Sequence, residues 1–214
     1  MTVDLSSAQT SQPASSSSQP ILAANRLTKF YGNVIGVNEV NLSLRPGVHG
    51  LLGPNGSGKS TFLNLITGQL KPTLGDLTVL GERPWRNHQL FKRIGYCPDL
   101  DAHYDFLTPY EFVRSMARGH GLSAADAKIA TEEALETCGA TGFAHKRIRG
   151  FSKGMRQRTK VAQAIVHRPE LLLLDEPLNG TDPIGRREMI DLVYRLGGAG
   201  VSVLVSSHVL HEVQ

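Results

Sequence analysis

The sequence predicts an α/β fold: a parallel sheet covered on both faces, preceded by antiparallel strands and interrupted by a helical insertion. Three observations lead to this. The run Leu171 to Leu174 is continuously apolar, and Val201 to Val205 is apolar but for Ser202, as strands buried on both faces of a parallel sheet are. Helix-period segments flank and separate them, the alternation that builds helix-covered sheets. Between Thr108 and Gly139 the chain carries helix starts and stops with no strand pattern between them.

The elements follow in order. Residues 1–20 hold seven Ser, three Gln, two Pro and one charge, Asp4, so this stretch is expected to be a disordered tail, with 21–214 forming the folded domain. The tail has no basic start and no apolar centre, which excludes a secretory signal or a transit peptide. Val34 to Leu44 alternates loosely and breaks at Arg45-Pro46-Gly47, predicting antiparallel strands and a turn. Val48 to Leu52 reads as a strand, Gly53 to Gly58 as a glycine-rich loop, and Lys59 to Leu70 as a helix with Phe62, Leu63, Ile66 and Leu70 on one face. Thr108-Pro109-Tyr110-Glu111 has the form of a capping box with Pro at the first helical position, and Ser123 to Asp126 starts a helix that Gly139 can end. Helices are expected from about Lys153 to His167 and Gly185 to Leu196. The helical subdomain thus covers about residues 100–165.

Composition narrows the functions. At 214 residues, 40% hydrophobic and 20% charged, the chain can bury an ordinary core. No apolar run approaches the roughly 20 residues of a membrane-spanning helix. Cys97 and Cys138 fit neither a metal spacing nor a disulfide framework and read as buried packing residues of a reducing compartment. The net charge of +4 is spread along the chain, which permits nucleic acid or acidic lipid without arguing for either.

Gly53-Pro54-Asn55-Gly56-Ser57-Gly58-Lys59-Ser60 matches the phosphate-loop pattern, with a strand before it and a helix after. Its glycines let backbone N–H groups converge on phosphates at a helix N-terminus. Lys59 would neutralise the β and γ phosphates, Ser60 would ligate magnesium, and Thr61 would lie near the α phosphate. Leu171 to Leu174 ends in Asp175-Glu176, at the sheet edge where open α/β folds bind ligands. There Asp175 would hold magnesium and Glu176 would polarise an attacking water; alone, such a pair is also read as a solvated strand end. Ser152 is a candidate N-cap for the helix carrying Met155, Val161 and Ile165, so free donors gather at its start.

With Phe151-Ser152-Lys153-Gly154-Met155-Arg156-Gln157 between phosphate loop and carboxylates, the chain resembles the nucleotide-binding domain of ABC transporters, whose signature is L-S-G-G-x-x-Q. The resemblance implies a RecA-like P-loop NTPase core, with ATP and Mg2+ as ligands. It implies that Ser152, Gly154 and Gln157 face ATP held by an opposite subunit. By the same resemblance, Tyr31 stacks on adenine, His208 touches the γ phosphate, and Asp182 contacts the other subunit. Asp99 stands where the family usually has Gln; it can still contact magnesium but adds a charge. The Ser-Lys-Gly form of the signature is similar to export-type relatives acting on drugs, polysaccharides or gliding. Relatives continue past the point six residues after His208 where this sequence stops, so a fragment is expected.

The implied function is the ATP-hydrolysing subunit of a transporter, cytoplasmic and peripheral to the membrane through a separate permease received near Asp99 to Leu107. ATP would close a homo- or heterodimer of these domains, with no nucleic acid expected. The alternative, a soluble ABC ATPase acting on nucleic acid or the ribosome, usually shows a second ATPase domain, a coiled-coil insertion or a dense basic arm. A P-loop kinase or GTPase would leave Ser152 to Arg158 and His208 unexplained, and the guanine motif N-K-x-D is absent.

Overall fold

The computed structural model describes residues 19–100 and 105–208. The expected tail, save Gln19 and Pro20, therefore lies outside the described residues, as do 101–104 of the expected permease-receiving segment.

β1 (Leu22–Tyr31) and β2 (Val34–Leu44) form an antiparallel hairpin closed at Gly32, whose φ of 57° suits glycine, and Asn33. The break at Arg45 to Gly47 makes no second hairpin; it carries the chain out of this sheet into β3 (Val48–Leu52), the edge strand of another. α1 (Lys59–Ile66) stops four residues before the expected Leu70. Gly68 is the reason: its φ is 66°, and a Cβ there would lie 2.3 Å from the Pro84 carbonyl oxygen.

β4 (Leu74–Val79) pairs with the other side of β1, completing a three-stranded antiparallel sheet in the order β2-β1-β4. After the short α2 (His88–Phe91) comes β5 (Ile94–Cys97), then the helical insertion. α3 (Pro109–Gly119) starts at the full capping box of Thr108 and Glu111, and α4 (Ala124–Thr137) at Ser123, whose hydroxyl accepts from the Asp126 amide. α5 (Lys153–Ile165) starts at Ser152, which accepts from the Met155 amide, and stops two residues short of the expected His167. β6 (Leu171–Leu174), α6 (Pro183–Gly198) and β7 (Ser202–Ser207) close the described fold; α6 is longer than expected because Pro183 already occupies its first turn.

β3, β7, β6 and β5 lie parallel in that order. Alternation along β6 shows why its apolar run is continuous. Leu172 and Leu174 enter a core with Val113, Leu135, Val161 and Leu192 of the flanking helices; Leu171 and Leu173 enter a second with Leu63 and Ile66 of α1 and Leu27 of β1. All four leucines are at most 1% exposed, and each contributes about 1.5–3 kcal/mol by burial. Cys97 and Cys138 are buried and not joined in a disulfide, as expected, and burial pushes the Cys138 thiol far above its ordinary range.

Candidate functional site

The sheet order gathers the carboxyl ends of its four strands at one edge. The glycine-rich loop leaves β3, His208 follows β7, Asp175 and Glu176 follow β6, and Pro98-Asp99 follows β5. A cleft of about 380 Å³ opens there, lined by loop residues Asn55 to Thr61 together with Tyr31, Asp99, Asp175 and Glu176.

The loop owes its shape to its glycines. Gly56 and Gly58 have φ of 79° and 90°, and a Cβ on Gly58 would fall 2.2 Å from the Gly36 carbonyl oxygen. α1 begins immediately after Gly58 with no side-chain cap, so its first amides face the cleft as donors. Lys59, 8% exposed, folds back over the loop: its ammonium donates to Gly53 O (2.6 Å) and Pro54 O (3.2 Å). The same ammonium meets Glu176 Oε1 at 3.2 Å.

Glu176 is held from three sides. Its backbone amide donates to Ser206 Oγ (2.9 Å), and His208 Nδ1–H donates to Oε2 (2.7 Å). Oε1 is buried and, although close to Lys59, receives no hydrogen bond of good geometry, so a lone pair remains to take a proton. Its φ of 49° is unusual for a non-glycine residue and sets the turn leaving β6. Asp175, 4% exposed, accepts from the Ser206 hydroxyl (2.6 Å). Burial above all, and then Asp175, Cys97 and Asp99 nearby, push the Tyr96 phenol well above its usual range.

Ser206, which sequence reasoning passed over, is completely buried and links both carboxylate residues. The signal was there: a polar residue directly after the apolar run Val203 to Val205. Gly36 is a second omission. A Cβ on it would strike Tyr31 Cε2 at 2.7 Å and Thr61 Cγ2 at 2.9 Å, so only glycine lets β2 pass under these two residues. Tyr31 is half exposed at 45%, its hydroxyl 3.5 Å from Thr61 Oγ1 and Lys29 over its ring, which leaves one face of the ring available for stacking.

Ser152, Gly154 and Asp182 lie elsewhere. They line a separate cleft of about 280 Å³ with Thr181 and Ile184, which shares no residue with the phosphate-loop cleft. Gln157 borders it but is 5% exposed, with its amide nitrogen 3.5 Å from Cys97 Sγ, so it packs inward.

Ser60, Asp99 and Asp175 suit a magnesium ion by chemistry, being hard oxygen donors beside a phosphate cradle. Among the described residues no group of three or more His, Cys, Asp or Glu is placed to hold a metal alone. The donor set therefore fits an ion that shares its ligands with phosphates and water.

Comparison with known proteins agrees with this geometry. The family model described as "ABC transporter" matches residues 37–179. The bacitracin transport ATP-binding protein BcrA of Bacillus licheniformis is 37% identical over 197 residues, covering 91% of this chain and 63% of that protein. The chain spans between about half and two thirds of the length of the curated relatives it matches. Among solved structures, cbiO1 of Clostridium perfringens, part of the transporter complex cbiONQ, superposes with a TM-score of 0.81 at 24% identity, covering 89% of this chain and 79% of that one. A dimeric ATP-binding cassette in a post-hydrolysis state with ADP and phosphate gives 0.80 at 24% identity, covering 90% of each chain. At that identity these two establish the fold.

Proposed function

Because this chain belongs to the ABC transporter family, we propose that it is the ATP-binding and ATP-hydrolysing subunit of a transporter. The observation that carries the reading is Glu176, suspended between the phosphate-loop lysine and His208 with an acceptor lone pair left over.

In the structure Lys59 rests on loop carbonyls and on Glu176. A triphosphate in the cradle offers that ammonium a stronger anion, drawing it from Glu176 onto the β and γ phosphates. Glu176 Oε1 is then free to accept a proton from water as the water oxygen bonds to the γ phosphorus and the bridging oxygen leaves, while His208 keeps Oε2 in place. A general base of this kind contributes about 10²–10⁴ in rate. Magnesium, when bound by Ser60 and Asp175 with Asp99 nearby, supplies charge neutralisation for the phosphates. Tyr31 receives the adenine.

The separation of the Ser152-Gly154 cleft from the phosphate loop supports a second part of the reading, in which two copies or close relatives meet head to tail and each signature covers the other's nucleotide. Among the described residues no helix is long and apolar enough to cross a membrane, which fits a separate permease and a place at the cytoplasmic face. Leu100 and Phe106, 77% and 67% exposed, offer the permease an apolar landing beside Asp99. Nucleic acid has no part in this reading.

Binding and turnover of ATP by two variants test it. Lys59→Ala should lose tight ATP binding, whereas Glu176→Gln should keep it and lose about 100-fold or more in hydrolysis. Equal loss of binding in both would remove Glu176 from the base role.

A further inference from the structure

Three polar side chains of α5, Gln157, Lys160 and Gln163, recur at intervals of three and reach β5 or the loop that leaves it. Gln163 Nε2 donates to Tyr96 O (2.9 Å), Gln157 Nε2 lies 3.5 Å from Cys97 Sγ, and Lys160 Nζ donates to Asp99 O (3.0 Å). Two of them meet the last residues of β5, and Lys160 meets the loop beyond, which borders the phosphate cleft. Lys160 is the unusual member. It is 3% exposed, on a helix whose Val161, Ala162 and Ala164 are packed into the core. A buried ammonium is costly unless acceptors are fixed around it, and an apolar residue of similar length would fill the space without that cost. What the ammonium adds is a directed grip on a loop carbonyl.

That loop and this helix carry two separated parts of the proposed site. α5 starts at Ser152, in the signature cleft; the loop presents Asp99 to the phosphate-loop cleft. We propose that Lys160 is a positioning residue, whose buried ammonium fastens the Asp99 loop to the signature helix so that the two move as one body. The consequence for turnover rests on the reading of Asp99 as a residue of the metal side of the ATP site. With the latch in place, a shift of Ser152 toward a partner's nucleotide displaces Asp99 at the subunit's own.

Lys160→Met, which keeps the length and apolar stem but removes the donor, tests this in the full-length protein alongside Lys160→Arg, Asp99→Ala and the Lys160→Met, Asp99→Ala double variant. The measurements are hydrogen exchange at residues 99 and 100, affinity for a fluorescent ATP analogue, and ATP turnover against magnesium concentration. The expected result for Lys160→Met is exchange at least tenfold faster in the loop with β6 unchanged and analogue affinity within twofold. Turnover should fall about tenfold with a higher magnesium requirement, Lys160→Arg should recover most of it, and the double variant should be no worse than Asp99→Ala. Unchanged loop exchange or exchange rising equally in β6 overturns the proposal, as does native turnover of Lys160→Met where Asp99→Ala is impaired; should Lys160→Met not fold, Lys160→Gln is measured against the same outcomes. If Asp99→Ala leaves turnover and its magnesium dependence native while Lys160→Met frees the loop, the latch stands and the metal reading of Asp99 fails.

Discussion

Ser206 shows how much a neutral residue can decide. Its hydroxyl donates to the Asp175 carboxylate while its oxygen accepts from the Glu176 amide, so one buried side chain fixes the direction of both acidic residues. Ser206→Ala leaves a 4% exposed carboxylate short of a donor, which costs about 1–3 kcal/mol of stability and lowers ATP turnover through misplacement of Glu176. Urea unfolding and a turnover assay check both effects. His167 belongs to the same scale. It stacks on His120 with centroids 3.7 Å apart, and Nε2–H donates to Ile94 O. Burial first, then the neighbouring His120, holds its pKa down to about 4, and burial also lowers that of His120. The unfolded chain therefore binds a proton that the folded one refuses. The His167 contribution is full above pH 6.5, is lost as pH falls toward 4, and amounts to about 1–2 kcal/mol once its partial exposure is allowed for. Urea midpoints between pH 7.5 and 4.5 should fall on the acid side for the native protein and much less for His167→Gln; matching slopes contradict this.

At the scale of elements, the packing of α5 on β5 is close enough to exclude one methyl group. A Cβ on Gly95 would lie 2.2 Å from Ala164 O and 3.0 Å from Pro169 Cγ, so Gly95→Ala must push strand from helix. The cost is about 3 kcal/mol, and calorimetry should show Tm lowered by about 6–12 °C. Elements with local signals were legible in the sequence: the strand, loop and helix around Gly53 to Ile66, the capped starts of α3 and α4, and the leucine run of β6. β1, β4 and β5 escaped because their patterns are interrupted or short. β1 contains Arg26 at φ 46° and a register shift between Ala24 and Leu27, which breaks the alternation, and β5 has four residues, one of them Gly95. Their pairing is also long-range, Leu22 with Val79 and Ile94 with Leu171, and no local window contains it. The chemical residues were easier to read than the ones supporting them. Lys59 and Glu176 announce themselves by charge at fixed spacing, whereas Ser206 and Gly36 matter only through contacts that the fold creates.

Across the whole molecule, the two clefts share no lining residue and divide one proposed catalytic site between separate places. In the proposed dimer a second subunit brings them together around ATP. Light scattering at several concentrations of the full-length protein tests it, using Glu176→Gln so that ATP persists, with and without Gly154→Glu. A Cβ on Gly154 meets nothing within 4 Å, so the substitution should leave the subunit folded while placing a negative charge against the partner's γ phosphate. Glu176→Gln should double its mass with ATP and stay a monomer at every concentration once Gly154→Glu is added; a double variant that still doubles its mass with ATP rules out the head-to-tail dimer.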